Sequence, residues 1–178
     1  MKKPIITFLF ILLLQFGFSN EFVFKKLGIN EGLSQVSALD IHQDQMNRIW
    51  IGTRDGLNCY DGNKIKVYRS IKGDTSTLIS SEVNRITQIE NNLWLLSNTG
   101  VSCMNLSNML CKRYPLPVAH EICVFNNNIV VSTIDGVLEF NADKNSFEPI
   151  LNLNEKNTTY HALYNNENKE LWVGTVED

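Results

Sequence analysis

The sequence predicts an all-β fold built of β-propeller blades, and three observations support this prediction. A short apolar phrase returns four times, and its second residue is Trp50, Trp94, Val130 or Trp172. These positions lie 44, 36 and 42 residues apart (50 to 94, 94 to 130, 130 to 172), and a period of about 40 residues is typical of one four-stranded blade. Helical spacing of apolar residues is not sustained after the first twenty residues.

Each copy of the phrase is the second of four predicted strands in one repeat. The first strands are predicted near 36–41, 83–89, 122–124 and 160–163, the third at 55–61, 99–105 and 135–141, and the last at 65–68, 110–114 and 146–150. Short alternating runs separated by Asn, Asp and Gly favour an antiparallel meander. The blade repeats are therefore predicted at 36–70, 83–116, 121–151 and 160–178, as an incomplete propeller of about three and a half blades within a domain spanning 20–178.

A glycine stands at the predicted turn between the second and third strands of three repeats. The turn pairs are Asp55-Gly56, Thr99-Gly100 and Asp135-Gly136. Tight hairpins need residues with positive φ, which glycine adopts without a steric clash.

The first nineteen residues are predicted to be a cleavable signal peptide. Lys2 and Lys3 precede an apolar run from 5 to 16, and small residues precede a cleavage site after Ser19. The alternative is an uncleaved anchor helix, but the run is shorter than the roughly 20 apolar residues that a span requires. We therefore expect a periplasmic chain, and no membrane contact by its mature part.

Composition and motifs argue against several classes of function. The net charge is −3 and the charges are dispersed, so no nucleic-acid partner is expected. No nucleophile–base pair, phosphate-binding loop or metal-ligand pattern stands out, so we predict no catalytic residue, no cofactor and no metal. His120 follows Pro115 and Pro117, which argues against the helix that a kinase phospho-acceptor histidine needs.

Residues 49–61 resemble the two-component regulator propeller repeat. The matching residues are Ile-Trp-Ile-Gly-Thr, then Gly-Leu, then Tyr-Asp, with Gln43-Asp44 before them and Tyr68 after them. The opening at 27–35, just after the signal peptide, also looks like the start of such proteins. The second copy departs from the pattern at Leu96-Ser97, and the third has Val130 where the others have Trp.

The resemblance implies the N-terminal part of the periplasmic sensor region of a hybrid two-component system (a hybrid sensor histidine kinase/response regulator). In that family the sensor responds to glycan fragments, so an oligosaccharide is the expected ligand of the full-length parent. The kinase would lie elsewhere in the parent, so the resemblance implies no catalysis in these residues. Two alternatives stay open, namely part of an exported propeller enzyme such as a polysaccharide lyase or hydrolase, and a non-functional truncated sensor remnant.

A partial ring is expected to leave a blade face uncovered, so the predicted partners are the remaining blades or a second copy of the chain. A ligand site assembled around a central channel would need the loops of those blades. We therefore expect the chain alone neither to bind glycan tightly nor to remain a well-behaved monomer.

Repeat position predicts a role for several individual side chains. Trp50, Trp94 and Trp172 are expected to be buried between blades rather than to serve as sugar-stacking platforms. Ligand contacts in propellers come from loops at one end, where the candidates are Arg54, Asp55 and Arg85. Cys103 and Cys111 are predicted cross-strand partners, as a disulfide or as a reduced pair packed in the sheet.

Overall fold

The computed structural model describes residues 23–151, 158–165 and 170–177, so the predicted signal peptide lies outside the described residues. Sheet 1 contains β1 (Ala38–Gln43), β2 (Ile49–Thr53), β3 (Gly56–Tyr60) and β4 (Ile65–Tyr68). Sheet 2 contains β5 (Arg85–Ile89), β6 (Asn92–Ser97), β7 (Gly100–Asn105) and β8 (Cys111–Pro115). Sheet 3 contains β9 (Ala119–Phe125), β10 (Asn128–Thr133), β11 (Gly136–Asn141) and β12 (Ser146–Leu151), and sheet 4 contains β13 (Thr158–Asn165) and β14 (Leu171–Glu177).

All four sheets are antiparallel, and their strands are ordered as they follow along the chain. Three sheets are therefore four-stranded meanders, and the fourth is one hairpin. One short 3-10 turn, Ile29–Glu31, precedes sheet 1. The predicted all-β class with propeller blades is confirmed. Across the described part of the chain, no helix has the length and apolar character needed to cross a membrane.

The turn between the second and third strands is closed by a hydroxyl at its first position. Thr53 Oγ1 donates to the carbonyl oxygen of Gly56 at 2.9 Å and accepts from the backbone N–H of Asp55 at 3.1 Å. Thr133 repeats both bonds in sheet 3, and Ser97 donates to Gly100 in sheet 2. The glycine of each turn has φ between 133° and 139°. The Thr/Ser and Gly of the repeat therefore have a local role in forming the hairpin.

Gly52, just before this turn, allows the next blade to approach closely. A Cβ at Gly52 would lie 2.6 Å from the carbonyl oxygen of Val83, in the segment that leads into sheet 2. The backbone N–H of Val83 also donates to the carbonyl oxygen of Thr53 at 2.8 Å. The Gly-Thr step of the first repeat is thus a docking point for the connection between two blades.

The hydrophobic core is divided into layers between neighbouring sheets. On β6, Leu93 and Leu95 pack in the core between sheets 1 and 2, whereas Trp94 and Leu96 pack in the core between sheets 2 and 3. Successive side chains of a strand point to opposite faces, so one strand contributes to two cores. A third, smaller core contains Val130 and is contacted by Leu171 and Val173 of sheet 4.

The second residue of the repeated phrase faces the following sheet in sheets 1, 2 and 3. Trp50 is fully buried against sheet 2, and Trp94 is 6% exposed against sheet 3. The prediction that all three tryptophans are buried is wrong for Trp172, which is 59% exposed. Its neighbours in β14 face sheet 3, so alternation turns Trp172 to the other face of sheet 4.

The predicted pairing of Cys103 with Cys111 is wrong by one residue. The two cysteines lie on the adjacent strands β7 and β8, but Cys103 pairs with Lys112, and Cys111 pairs with Met104. A one-residue offset places the two side chains on opposite faces of the sheet, Cys111 in the first core and Cys103 against the second. Both thiols are free.

Candidate functional site

Charged side chains occupy one equivalent position on the first strand of three successive sheets. Asp40, Arg85 and Glu121 pair respectively with Gly52, Leu96 and Ser132, the fourth residue of the repeated phrase. They make contacts between sheets. Asp40 Oδ2 accepts from the backbone N–H of Ile86 at 2.7 Å, and Arg85 Nε lies 3.0 Å from Glu121 Oε1. These contacts align the first strands of sheets 1, 2 and 3.

A chain of polar contacts continues from Arg85 towards the β2–β3 turn. Arg85 Nη1 donates to the carbonyl oxygen of Asn84 at 2.9 Å, and Asn84 Nδ2 donates to Asn98 Oδ1 at 2.9 Å. Asn98 Nδ2 donates to Glu82 Oε2 at 3.3 Å, and Glu82 Oε1 lies 4.0 Å from Arg54 Nε. We call this set the polar rim; its members are Arg54, Glu82, Asn84, Arg85, Asn98 and Glu121.

The structure brings two of the three predicted ligand residues into this set. Arg54 and Arg85 belong to the polar rim, Arg54 at one end and Arg85 beside Glu121 at the other, and their side chains are 71% and 45% exposed. Asp55 does not join it, because its carboxylate binds Arg69 at 3.0 and 3.2 Å. This hydrogen bond from Arg69 holds the pKa of Asp55 below its ordinary value.

Sequence analysis did not predict four members of the polar rim, namely Glu82, Asn84, Asn98 and Glu121. Asn98 holds the turn position of Arg54, and Glu121 holds the strand position of Arg85, so alignment of the repeats on each other could have found both. Glu82 lies in the connection between two blades, where no repeat signal exists. His42 Nε2 on β1 also makes a contact between sheets, a hydrogen bond of 2.9 Å with Gln88 Oε1 of sheet 2.

The polar rim offers hydrogen-bond donors and acceptors at the end of the sheets where the β2–β3 and β6–β7 turns lie. Guanidinium, amide and carboxylate groups alternate along it, which suits a ligand with many hydroxyl groups. Within the described ranges there is no group of three or more His, Cys, Asp or Glu side chains placed to hold a metal ion.

Comparison with known sequences gives one relevant similarity. The chain is 45% identical over 60 residues to histidine kinase P4 of Formosa agariphila. The match covers 34% of this chain and only 4% of the length of the kinase. No protein-family model matches the chain.

Among solved structures, the chain is similar to the extracellular domain of a proposed one component system from B. thetaiotaomicron, with a TM-score of 0.66 and 16% sequence identity. The alignment covers 82% of this chain and 21% of that one. This likeness shows the fold, and the match to a histidine kinase supports the predicted resemblance to a two-component sensor protein. Extracellular domains of proposed hybrid two component systems from the same organism align with TM-scores of 0.49 (18% identity, 85% of this chain, 27% of that one) and 0.38 (17%, 85% and 34%).

Proposed function

We propose that this chain is part of the periplasmic ligand-sensing propeller of a two-component signal transduction protein, and that the ligand is an oligosaccharide. The observation that carries the proposal is the 45% identity to a histidine kinase within a chain folded as propeller blades. In this proposal the chain binds and transmits, and the chemistry of signalling belongs to the kinase.

The polar rim supports the choice of ligand. An oligosaccharide presents closely spaced hydroxyl groups that both donate and accept hydrogen bonds, and the rim alternates donors with acceptors. Arg85 is the member best suited to respond to a ligand. It joins sheets 2 and 3 through Glu121 while nearly half of its side chain faces solvent.

A chromosomal substitution tests this proposal on the protein as the cell makes it. Cells carrying Arg85→Ala are grown on a panel of polysaccharides, and transcripts induced by each polysaccharide are compared with those of the parent strain. We expect induction by one polysaccharide to fall in the Arg85→Ala strain. Arg69→Ala is the matched control, since it also removes one partly exposed arginine paired to a carboxylate but lies outside the polar rim.

Two results would contradict the proposal. If deletion of the gene changed no transcriptional response to any polysaccharide, an oligosaccharide sensor would be excluded. Release of new reducing ends from a polysaccharide by the exported protein would favour a lyase or hydrolase. Fractionation of a tagged protein, with sequencing of its mature N-terminus, tests the periplasmic location and the cleavage after Ser19.

A further inference from the structure

A cleft of about 650 Å³ lies between sheets 2 and 3, at the opposite end of the strands from the polar rim. The β7–β8 turn and the β11–β12 turn form its two sides, and its volume is within the range of small-molecule sites. The residues that line the cleft and carry the argument are Trp94, Tyr114, Phe140, Asn92, Asn108 and Asn145, together with Lys112.

The floor of the cleft is aromatic and rigid. Trp94 contacts Phe140 with ring centroids 4.8 Å apart, and Tyr114 lies 5.9 Å from Trp94 and 5.2 Å from Phe140. Trp94 and Tyr114 are almost fully buried and support Phe140, which is half-buried and is the ring of the floor that a ligand can contact. Such a floor accepts the apolar face of a ring.

The polar groups around this floor are donors. Asn108 Oδ1 accepts from the backbone N–H of Leu110 at 3.0 Å, and Asn145 Oδ1 accepts from Tyr114 Oη at 3.0 Å and from Lys112 Nζ at 3.4 Å. With their oxygens engaged, these two amides present their nitrogens to the cleft.

The third amide is oriented in the same way through a neighbour. Asn105 Oδ1 accepts from the backbone N–H of Ser107 at 3.0 Å, which fixes the orientation of that amide. Its nitrogen then donates to Asn92 Oδ1 at 3.3 Å, so Asn92 also has its nitrogen left to donate.

The charge of the cleft has one sign. Lys112 is its charged side chain, and no aspartate or glutamate is among the described residues that line it. A cationic ligand would find no counter-charge, whereas a carboxylate would find an ammonium group and amide donors.

We propose that this cleft binds a sugar acid, with the apolar face of the pyranose ring on Phe140, its hydroxyl oxygens on the asparagine amides and its carboxylate on Lys112. The site goes beyond the proposed function, because it lies away from the polar rim and its ligand class follows from the lining. It is also formed wholly by sheets 2 and 3 and the segments beside them.

The test uses the purified full chain and four sugars, namely galacturonate, glucuronate, galactose and glucosamine, with binding followed by calorimetry or ligand-observed NMR. We expect a uronate to bind about tenfold more tightly than galactose, the effect of one charge-assisted hydrogen bond, and glucosamine to bind weakest. Lys112→Gln should remove the preference for the uronate.

Ala142→Trp blocks the cleft without entering the core, because Ala142 is exposed and lies at its edge in the β11–β12 turn. Asp143→Trp is the matched control, since it places the same ring on the next exposed residue, which does not line the cleft. We expect Ala142→Trp to abolish uronate binding and Asp143→Trp to preserve it.

Equal affinity for galactose, preference for glucosamine, no binding of any sugar, or unchanged uronate binding in Ala142→Trp would each overturn the proposal. None of these results bears on the sensor function, which the Arg85→Ala strain tests by a separate readout.

Discussion

The carboxylate of Asp44 joins the β1–β2 turn to the indole of Trp50, and its removal should cost much of the stability of the first blade. Asp44 accepts four hydrogen bonds, from Trp50 Nε1 and Arg48 Nε at 2.7 Å each and from the backbone N–H groups of Met46 and Arg48 at 2.9 and 3.0 Å. Its side chain is fully buried, and Trp50 is also fully buried.

The magnitude follows from what Asp44→Ala leaves behind. A buried indole N–H without a partner costs about 1–3 kcal/mol, and breaking a buried ion pair by removing one partner costs about 3–5 kcal/mol in total. Arg48 keeps some access to water, with 16% of its side chain exposed, so we expect a loss near the lower end, about 3 kcal/mol.

Asp61→Ala is the control for this measurement. Asp61 also accepts two backbone N–H bonds in a turn, from Asn63 and Lys64 at 2.9 Å each, but it is exposed and holds no indole. We expect it to cost about 1 kcal/mol or less. The free energy of unfolding is measured in urea by far-ultraviolet circular dichroism, and equal losses in the two variants would refute the reasoning.

Acid should reduce the difference in free energy of unfolding between the wild type and Asp44→Ala. Burial raises the pKa of Asp44, but the hydrogen bonds from Trp50 and Arg48 outweigh it and hold the pKa below its ordinary value of 3.8. A carboxyl whose pKa is lower in the folded state stabilises the fold above its unfolded pKa, and this contribution disappears as pH falls through the folded pKa. The gap should therefore narrow below about pH 4, and a constant gap between pH 7 and pH 3 would contradict this.

Three further predictions concern packing and thiols. Gly52→Ala should destabilise the chain by about 1–3 kcal/mol in the same urea assay because its Cβ meets backbone. Gly28→Ala is the control and should cost less than about 1 kcal/mol, because only the end of a glutamate side chain lies nearby. Equal costs for the two variants would contradict the close approach at Gly52. Trp172→Phe should remove the component of fluorescence most readily quenched by acrylamide, and Trp94→Phe should not; the reverse would contradict the exposure of Trp172. Alkylation after unfolding without reductant should label four thiols, and a count of two would contradict the register of β7 and β8. In the folded chain, burial raises the pKa of Cys103, Cys111 and Cys123 to about 11, so their labelling at pH 8 should be roughly a hundredfold slower than that of an ordinary thiol.

The all-β class and the meander order were predictable because the repeated phrase combines a strand pattern with a turn signal at a fixed place. The hydroxyl before Arg54 and the glycine after Asp55 occupy positions that the hairpin itself requires. The burial of Trp50 followed from the same repetition.

The register between the third and fourth strands was not predictable from spacing. It depends on the conformation of the turn between them, and in sheet 2 this turn includes Met109 with a φ of 60°. Only two of the six members of the polar rim were predicted, and Glu82 reaches it from a connection that has no counterpart in the repeat.

In the hydroxyl-closed turns, one residue closes the hairpin and other residues supply the exposed side chains at its tip, whereas in most turns the same residues do both. Thr53 and Thr133 close their turns with their own side chains, using only the backbone of the turn. The two tip side chains of the Thr53 and Thr133 turns are then unnecessary for closure, and the tips of the three turns differ: Arg54-Asp55, Asn98-Thr99 and Ile134-Asp135. Mutation can therefore change the chemical character of this end of the molecule at small cost in folding free energy. One scaffold of this kind can acquire new binding preferences through single substitutions while its blades remain unchanged.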